Sequence, residues 1–211
     1  MEKKGFLISI EGVDGSGKST LSHKIKNFLV EKDFDVVVTQ EFGGTPLGQR
    51  LRQILHEEKE LVCDLSEYFL IAADRAQHFE QVVIPALNDK KIVVSDRMGD
   101  SSIAYQGYGR GLDIDMIKQV NKWAMQGIEP DLVLYIKLDF HVALERIMLR
   151  GGKLTSFETE KELFWKRVSD GYNKLFKDRK NVVEIDGTKS IDELAKAACQ
   201  IIIDKIILDK P

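Results

Sequence analysis

The chain has 211 residues, enough to bury one complete hydrophobic core, and we expect residues 1–211 to form a single domain. With 43% apolar and 31% charged residues its composition is that of an ordinary globular protein, and no apolar run reaches the roughly 18 residues of a membrane span. Its 31 Lys and Arg against 34 Asp and Glu give a net charge of −3, without the overall basic field that favours nucleic acid.

The two cysteines and the N-terminal residues indicate the cellular compartment in which the protein is expected. Cys63 and Cys199 lie in apolar helical contexts without metal-ligand spacing, so we expect both to be buried, reduced thiols. The start of the chain lacks the sustained apolar core of a secretion signal. Both features are typical of a reducing cytoplasm, and we predict a cytoplasmic protein.

The first predicted element is an apolar strand at residues 6–10, which leads into a glycine-rich loop. The loop matches the P-loop pattern G-x-x-x-x-G-K-[ST] at every fixed position. Apolar residues then recur at helical spacing, which gives the strand–loop–helix context that the motif requires. The matching residues are Gly12, Val13, Asp14, Gly15, Ser16, Gly17, Lys18 and Ser19, and the helical ones are Leu21, Ile25, Phe28 and Leu29.

This loop predicts a site for a nucleoside triphosphate. Its glycines allow backbone N–H groups to turn towards a phosphate, and the positive end of the following helix adds to the attraction. Lys18 is expected to reach the β- and γ-phosphates, and Ser19 to offer its hydroxyl to Mg²⁺. The P-loop alone therefore indicates a bound triphosphate and a metal ion, without an acceptor.

The rest of the chain continues the alternation of strands and helices. Strands are predicted at residues 35–39, 92–95, 132–136 and 182–185. Helices are predicted around residues 47–55, 64–87 and 113–127, on both sides of Gly151-Gly152, and after residue 190, with residues 99–111 as a loop or irregular helix entry. We interpret Asp64 with Glu67, and Ser190 with Glu193, as capping boxes, and we expect Pro85 to end or kink its helix. Five buried strands alternating with helices predict an α/β fold with a parallel, doubly wound sheet.

Four charged residues, Asp14, Asp96, Arg97 and Arg75, are expected at the carboxyl edge of this sheet, where open α/β sheets bind ligands. Asp14 either caps amides of the P-loop or accepts a hydrogen bond from a substrate hydroxyl or a metal-bound water. Asp96, directly after a buried strand, either orients Mg²⁺ through water or caps the next turn. Arg97 either clamps a phosphate with its planar fork or forms a salt bridge to Asp96 or Asp100.

Arg75 lies four residues after Ile71 and therefore on the same face of its helix. An arginine beside an apolar residue can pair with the edge of a flat ring, but a surface salt bridge to Asp74 or Glu80 explains it equally well. His78 has no second ligand at metal spacing, and we interpret it as a structural or capping residue.

Taken together, these segments resemble the bacterial thymidylate kinase family, from about residue 6 to the final helix. Four separated motifs occur in order, which makes the resemblance more specific than the P-loop alone. They are Glu11-Gly12-Val13-Asp14-Gly15-Ser16-Gly17-Lys18-Ser19-Thr20, Ala72-Ala73-Asp74-Arg75-Ala76-Gln77-His78, Asp96-Arg97 with Ser101-Ser102-Ile103-Ala104-Tyr105-Gln106-Gly107-Tyr108-Gly109-Arg110-Gly111, and Glu129-Pro130-Asp131-Leu132.

The resemblance implies a P-loop nucleoside monophosphate kinase-like fold, with a five-stranded parallel sheet, helices on both faces and a small lid at about residues 150–158. It implies transfer of the γ-phosphoryl group of ATP to dTMP, giving dTDP, with Mg²⁺. It also implies a homodimeric, cytosolic enzyme whose partners are these two nucleotides; neither nucleic acid nor a membrane is expected.

Carried over by position, the resemblance assigns roles to residues on the donor side. The P-loop through Thr20 is expected to bind ATP, with Arg146 near the donor nucleotide. Lys18 and Ser19 hold ATP and Mg²⁺, and Asp96 lies near the metal. Arg97 bridges the acceptor and the transferring phosphate.

On the acceptor side, the resemblance places dTMP between five positions. Asp14 faces its sugar and phosphate, and Arg75 meets the thymine edge. Ser102 and Gln106 bond to the base, and Tyr105 lies under the sugar, where its ring can crowd out a 2′-hydroxyl.

Two departures from the family pattern matter most. Ile71 stands where the family commonly has a phenylalanine that stacks on thymine, a contact worth roughly 1–3 kcal/mol, and Phe42 or Phe69 is the candidate replacement. The family's lid arginine is also missing, since residues 155–158 read TSFE, and the P-loop carries no arginine either. We predict that Arg150 or Lys153, which flank the two glycines, supplies this catalytic charge.

Two alternatives remain at this point. The first is a related nucleoside monophosphate kinase with a different or relaxed acceptor base, which Ile71 makes credible. The second is a P-loop nucleotide-binding switch or an inactive kinase-like protein. A switch would not need Arg75, Tyr105 and Gln106 arranged as a second nucleotide site.

Overall fold

The computed structural model describes residues 5–57, 62–151, 157–158 and 160–208. These residues form a five-stranded, all-parallel sheet with the strand order β2-β3-β1-β4-β5, which confirms the predicted α/β class. The strands are β1 Phe6–Glu11, β2 Val36–Gln40, β3 Ile92–Asp96, β4 Leu132–Lys137 and β5 Val182–Asp186. The predicted ends of all five strands therefore lie close to the observed ends.

Helices fill the connections between the strands. They are α1 Lys18–Val30, α2 Pro46–Glu57, α3 Asp64–His78, α4 Ile84–Asn88, α5 Gly99–Ser102, α6 Ile114–Ala124, α7 Phe140–Arg150, α8 Glu162–Phe176 and α9 Ile191–Leu208. Two π-helical segments, Phe79–Val83 and Ile103–Gly109, continue α3 and α5. The stretch 99–111 is thus mainly helical, in agreement with the prediction of an irregular helix entry.

Both faces of the sheet are covered, because alternate strand residues point to opposite sides. Ile8 packs with α1 and α9 on one face, and Leu7 packs with Phe79 and α4 on the other. Val133 of β4 joins a further cluster with the aromatic side chains of α8. Burial on both faces explains why β1, β3 and β4 read as nearly continuous apolar runs. The prediction of five buried strands is wrong for the edge strands β2 and β5, which have a neighbouring strand on one side only and are partly exposed.

The strand order reverses at β1, which has β3 on one side and β4 on the other. Ile10 is in register with Asp96, and the N–H group of Arg97 donates to the carbonyl oxygen of Ile10 at 3.0 Å. The loops that follow β1 and β3 therefore begin side by side. Such a switch point is where open α/β sheets place their ligand.

Of the two predicted capping boxes, one is confirmed and one is wrong. The N–H group of Ser190 donates to the carboxylate of Glu193 at 3.0 Å, and the N–H group of Glu193 donates to the Ser190 hydroxyl at 3.3 Å. Asp64, by contrast, is already the first residue of α3, and Cys63 precedes it without a side-chain cap. The carboxylate of Glu67 instead accepts hydrogen bonds from residues of the segment 106–110, so a tertiary contact replaces the local one.

Of the two predicted effects of Pro85, an end or a kink, only the end is excluded, since the helical run continues to Asn88, close to the predicted bound at residue 87. The π-helical segment precedes α4, and Pro85 lies in the first turn of α4. The N–H group of Ile84 still donates to the carbonyl oxygen of Phe79, so the π-helical segment keeps the backbone hydrogen-bonded up to the proline, which has no N–H group of its own to donate.

The cysteines differ from each other. Cys199 is buried and burial raises the pKa of its thiol to about 11, as expected of an inert core residue. Cys63 is exposed, which contradicts the prediction, because it precedes α3 and lies outside the packed face of that helix. Within the described ranges, no helix combines the length and the apolar character needed to cross a membrane.

Candidate active site

A cleft of about 420 Å³ opens at the carboxyl edge of the sheet. From the predicted donor side it is lined by Asp14, Gly15, Gly17, Lys18, Ser19, Thr20, Asp96, Arg97, Arg146 and Arg150, and from the predicted acceptor side by Phe42, Ile71, Arg75, Ser102, Tyr105 and Gln106. The structure therefore brings these predicted residues to one cavity. Three predicted P-loop residues, Gly12, Val13 and Ser16, do not line the cleft. The Gly12 carbonyl oxygen accepts a hydrogen bond from Arg97, Val13 belongs to the core, and Ser16 is buried.

The P-loop requires its glycines for two separate reasons. Gly17 has a φ of 93°, in the left-handed region, directly before the first turn of α1. A Cβ atom on Gly15 would lie 2.5 Å from the carbonyl oxygen of Ala143 in α7, so this position also leaves no room for a side chain. The loop is consequently held close to α7, with its helix start facing the cleft.

Lys18 is 6% exposed, and its Nζ donates to the carbonyl oxygen of Val13 at 2.8 Å. The pKa of Lys18 is lowered to about 8, mainly because the side chain is buried and secondly because Arg97 is close. Nearby carboxylates act in the opposite direction. The P-loop thus holds the ammonium group of Lys18 in an environment that disfavours its positive charge. A bound anion would remove that penalty.

Ser19 and Asp96 form the corner where a metal ion is expected. The Ser19 hydroxyl donates to Oδ2 of Asp96 at 2.5 Å, while Oδ1 of Asp96 is buried without a hydrogen-bond partner among the described residues. The alternative role of Asp96 as a helix cap is not observed, because Met98 occupies that position before α5 without a side-chain cap. A hydroxyl and a carboxylate with one unused buried oxygen fit Mg²⁺, which takes few protein ligands and several phosphate or water oxygens.

Arg97 joins the P-loop to the acceptor side. Its Nη2 forms an ion pair with Asp14 and donates to the hydroxyl of Tyr105 at 3.0 Å. The expected salt-bridge alternatives, Asp96 and Asp100, are wrong, since Asp100 instead pairs with Arg179 at 2.7 Å. Burial acts to raise the pKa of Asp14, but the charges of Arg97 and Lys18 outweigh it and hold that pKa below its usual value.

Arg75 is 1% exposed, so its interpretation as a surface salt-bridge residue is wrong. Its Nε donates to Glu41 at 2.7 Å, its Nη1 to Asn121 at 2.6 Å, and its Nη2 to the Ser102 hydroxyl at 3.0 Å. Glu41 also lies 3.0 Å from Nδ1 of His78, which confirms the structural role of that histidine. Burial acts to raise the pKa of Glu41, whereas Arg75 and His78 lower it and prevail.

The aromatic residues divide between the cleft and the surface. Phe42 lines the cleft, whereas Phe69 is 50% exposed and does not line it, so Phe42 remains the candidate replacement opposite Ile71. Phe157, which the sequence did not single out, is buried at the same wall, with its ring centroid 5.8 Å from that of Tyr105. Burial raises the pKa of the Tyr105 phenol, so its hydroxyl stays protonated.

The predicted lid lies only partly within the described residues. Arg150, at the end of α7, pairs with Glu158 at 2.8 Å, and both line the cleft with Arg146. Lys153 lies outside the described residues. Glu158, Glu41 and Phe157 were missed by the sequence reasoning, because single residues in loops have no spacing that marks them.

Comparison of the sequence with known proteins identifies a matching family and several relatives. A family model described as thymidylate kinase matches residues 10–198. A thymidylate kinase of Halothermothrix orenii is 42% identical over 193 residues, which cover 90% of this chain and 93% of that protein. One of Pelotomaculum thermopropionicum is 47% identical over 80% of this chain and 79% of its own length. One of Finegoldia magna is 37% identical over 96% of this chain and all of its own.

Proposed function

The chain belongs to the thymidylate kinase family, and from this premise we propose that it transfers the γ-phosphoryl group of ATP to dTMP, giving dTDP and ADP. One observation carries the proposal beyond the family name. The P-loop residues Lys18 and Ser19 share a single cleft with Arg75, Ser102 and Gln106. A cleft with a triphosphate site at one end and buried polar groups at the other suits two nucleotides meeting at their phosphates.

In this proposal the protein supplies alignment and positive charge rather than a general base. An oxygen of the dTMP phosphate is already anionic, so it attacks the γ-phosphorus while the bond to the β-phosphate oxygen breaks. Arg97 lies between the P-loop and Tyr105 and stabilises the charge that spreads over the transferred group. Lys18 does the same from the donor side, and the tyrosine ring takes the space that a ribose 2′-hydroxyl would need.

Ser19 and Asp96 would hold Mg²⁺, which supplies charge neutralisation to the triphosphate when bound. The unused Oδ1 atom of Asp96 supports this assignment, because a buried carboxylate oxygen without a partner is costly. Within the described residues no group of three His, Cys, Asp or Glu side chains could hold a metal ion. The proposed ion therefore depends on the nucleotide for most of its ligands.

The proposal is tested by measuring ATP consumption by the purified protein against dTMP, dUMP, dCMP, dGMP and dAMP. We expect dTMP to be the best acceptor and ATP hydrolysis without acceptor to be slow. A different best acceptor would assign the chain to a related specificity. Hydrolysis without any acceptor dependence would contradict kinase function altogether.

Base discrimination is expected to depend on Glu67 through Gln106. Nε2 of Gln106 donates to Oε1 of Glu67 at 3.0 Å, and Arg110 holds the same carboxylate at 3.1 Å. A carboxylate only accepts, so it fixes the amide with its carbonyl oxygen free for the N3–H group of thymine, a donor that cytosine lacks. We predict that Glu67→Gln lowers the preference in kcat/KM for dTMP over dCMP by about tenfold.

The matched control is Glu160→Gln, since Glu160 also binds Arg110, at 2.6 Å, but is not bonded to Gln106. Its dTMP:dCMP ratio is expected to stay within twofold of the wild-type ratio. A ratio measured within one variant does not depend on how much protein is folded. Equal ratios for Glu67→Gln and the wild type would contradict the prediction.

The positive charge that the family's lid arginine commonly supplies is expected to come from Arg150 or Lys153 in this chain. Arg150 lines the cleft at the end of α7, on the donor side. We predict that the double variant Arg150→Ala, Lys153→Ala lowers kcat by about 100-fold with little change in KM, because a charge on the transition state is lost. Arg167→Ala, on the exposed side of α8, is the control. Unchanged turnover in the double variant would remove both residues from the mechanism.

We further propose a homodimer in the cytoplasm. Apolar side chains are exposed on three neighbouring helices: Leu47 and Ile54 on α2, Leu65 and Phe69 on α3, and Trp123 on α6. Two free cysteines suit a reducing compartment. Light scattering of the wild type should give twice the chain mass of 24.0 kDa. Phe69→Glu should lower the measured mass towards that of a single chain. A monomeric wild type would contradict the dimer.

A further inference from the structure

Glu11 is a fully buried carboxylate at the end of β1, directly before the P-loop, and it is not part of the cleft lining. Its Oε1 accepts from the N–H group of Met98 and from the Ser9 hydroxyl, both at 2.8 Å. Its Oε2 accepts from the hydroxyls of Ser101 at 2.6 Å and Tyr172 at 3.1 Å. One carboxylate thus accepts from four donors that lie in three parts of the chain: β1, the stretch 98–101 and α8.

Three of these four donors also control Arg97. Met98 follows it in the chain, so the bond to Oε1 anchors the backbone directly after Arg97. The hydroxyls of Ser101 and Tyr172 accept from Nη1 of Arg97 at 3.0 and 3.3 Å. The two oxygens of Glu11 therefore hold the backbone and the guanidinium group of the same arginine.

Arg97 needs such support because of its backbone. Its φ of 71° lies in the left-handed region, which is uncommon for a residue with a side chain. The Ser95 hydroxyl donates to its carbonyl oxygen at 2.7 Å, and Ile10 accepts from its N–H group. With Glu11 bound to Met98, the peptide groups on both sides of Arg97 are tied to β1 and β3.

We propose that Glu11 is a positioning residue for phosphoryl transfer, which holds Arg97 in the conformation that meets the transferred phosphate. The proposal rests on the function proposed above. Glu11 touches no substrate and acts only through Arg97. The pKa of Glu11 is raised to about 7, mainly because the carboxyl group is buried and secondly because of the charge of Asp100. The hydrogen bond from Ser101 and the charge of Arg97 act against that rise. The carboxylate and the arginine therefore also interact by charge.

The test is a double-mutant cycle between Glu11→Gln and Arg97→Lys, with kcat and the KM for ATP measured in each protein. Glutamine keeps the shape but presents an NH₂ group to one pair of donors. We expect Glu11→Gln to lower kcat about tenfold in the wild-type background, with the KM for ATP within twofold. In the Arg97→Lys background, assayed at raised enzyme concentration, the same change should lower kcat less than twofold. Equal losses in both backgrounds, or no loss in the first, would overturn the proposal.

Two serines give a second test if Glu11→Gln fails to fold. Both hydroxyls bond to Glu11, but only that of Ser101 also bonds to Arg97. Ser101→Ala should lower kcat several-fold, and Ser9→Ala should leave it within twofold of wild type; equal effects would contradict the role. The assay uses the monophosphate that the wild type turns over fastest. A wild type that does not use dTMP then contradicts the proposed function, while the ratios between variants still decide the role of Glu11.

Discussion

Lys18→Ala is expected to lower kcat/KM for phosphoryl transfer by about three orders of magnitude without loss of the fold. Lys18 is the P-loop cation at the donor end of the cleft, and its loss removes charge from the triphosphate in both the ground and the transition state. The measurement is a steady-state assay with saturating dTMP and varied ATP. Turnover near the wild-type rate would remove the P-loop lysine from the mechanism.

The melting temperature separates this loss from unfolding. Burial lowers the pKa of Lys18 to about 8, so the folded protein holds this charge at a cost, and removing it should not lower Tm. Lys24→Ala is the matched control on the same helix. Lys24 pairs with Asp192 on the protein surface, at 2.7 Å, and does not line the cleft. Its kcat and Tm should both stay close to wild type.

Arg97→Lys is expected to lower kcat by about 100-fold or more, even though the charge is kept. The guanidinium group of Arg97 bonds to Asp14, Tyr105 and the carbonyl oxygen of Gly12 at once, and a single ammonium group does not reproduce this fork. The acceptor phosphate would then be out of line with the donor. The KM for ATP should change little, because the P-loop is left intact.

Arg179→Lys is the control for this substitution. Arg179 also pairs with a largely buried carboxylate, that of Asp100, but it lies outside the cleft. Its kcat is expected to stay within twofold of the wild-type value. If the two variants have the same kcat, Arg97 does not align the phosphates.

Much of the fold follows from patterns within short stretches of chain. The five strands were predicted because each is rich in apolar residues, and the three central strands are buried on both faces. The capping box at Ser190 was predicted correctly because both its members lie within one turn. At Asp64 the same pattern failed, since Glu67 had a stronger partner in Arg110, 43 residues away.

The candidate site divides in the same way. By itself the sequence determined the P-loop and the family, because the spacing of glycines, lysine and serine is local and the further motifs occur in order. Only the tertiary structure decided that Arg75 is buried against Glu41, that Arg97 pairs with Asp14, and that Glu11 lies beneath that arginine. These partners lie 34 to 87 positions apart, and an arginine has several carboxylates near it in sequence. Which carboxylate it meets is decided by the packing of strands and helices, which periodicity along the chain does not encode.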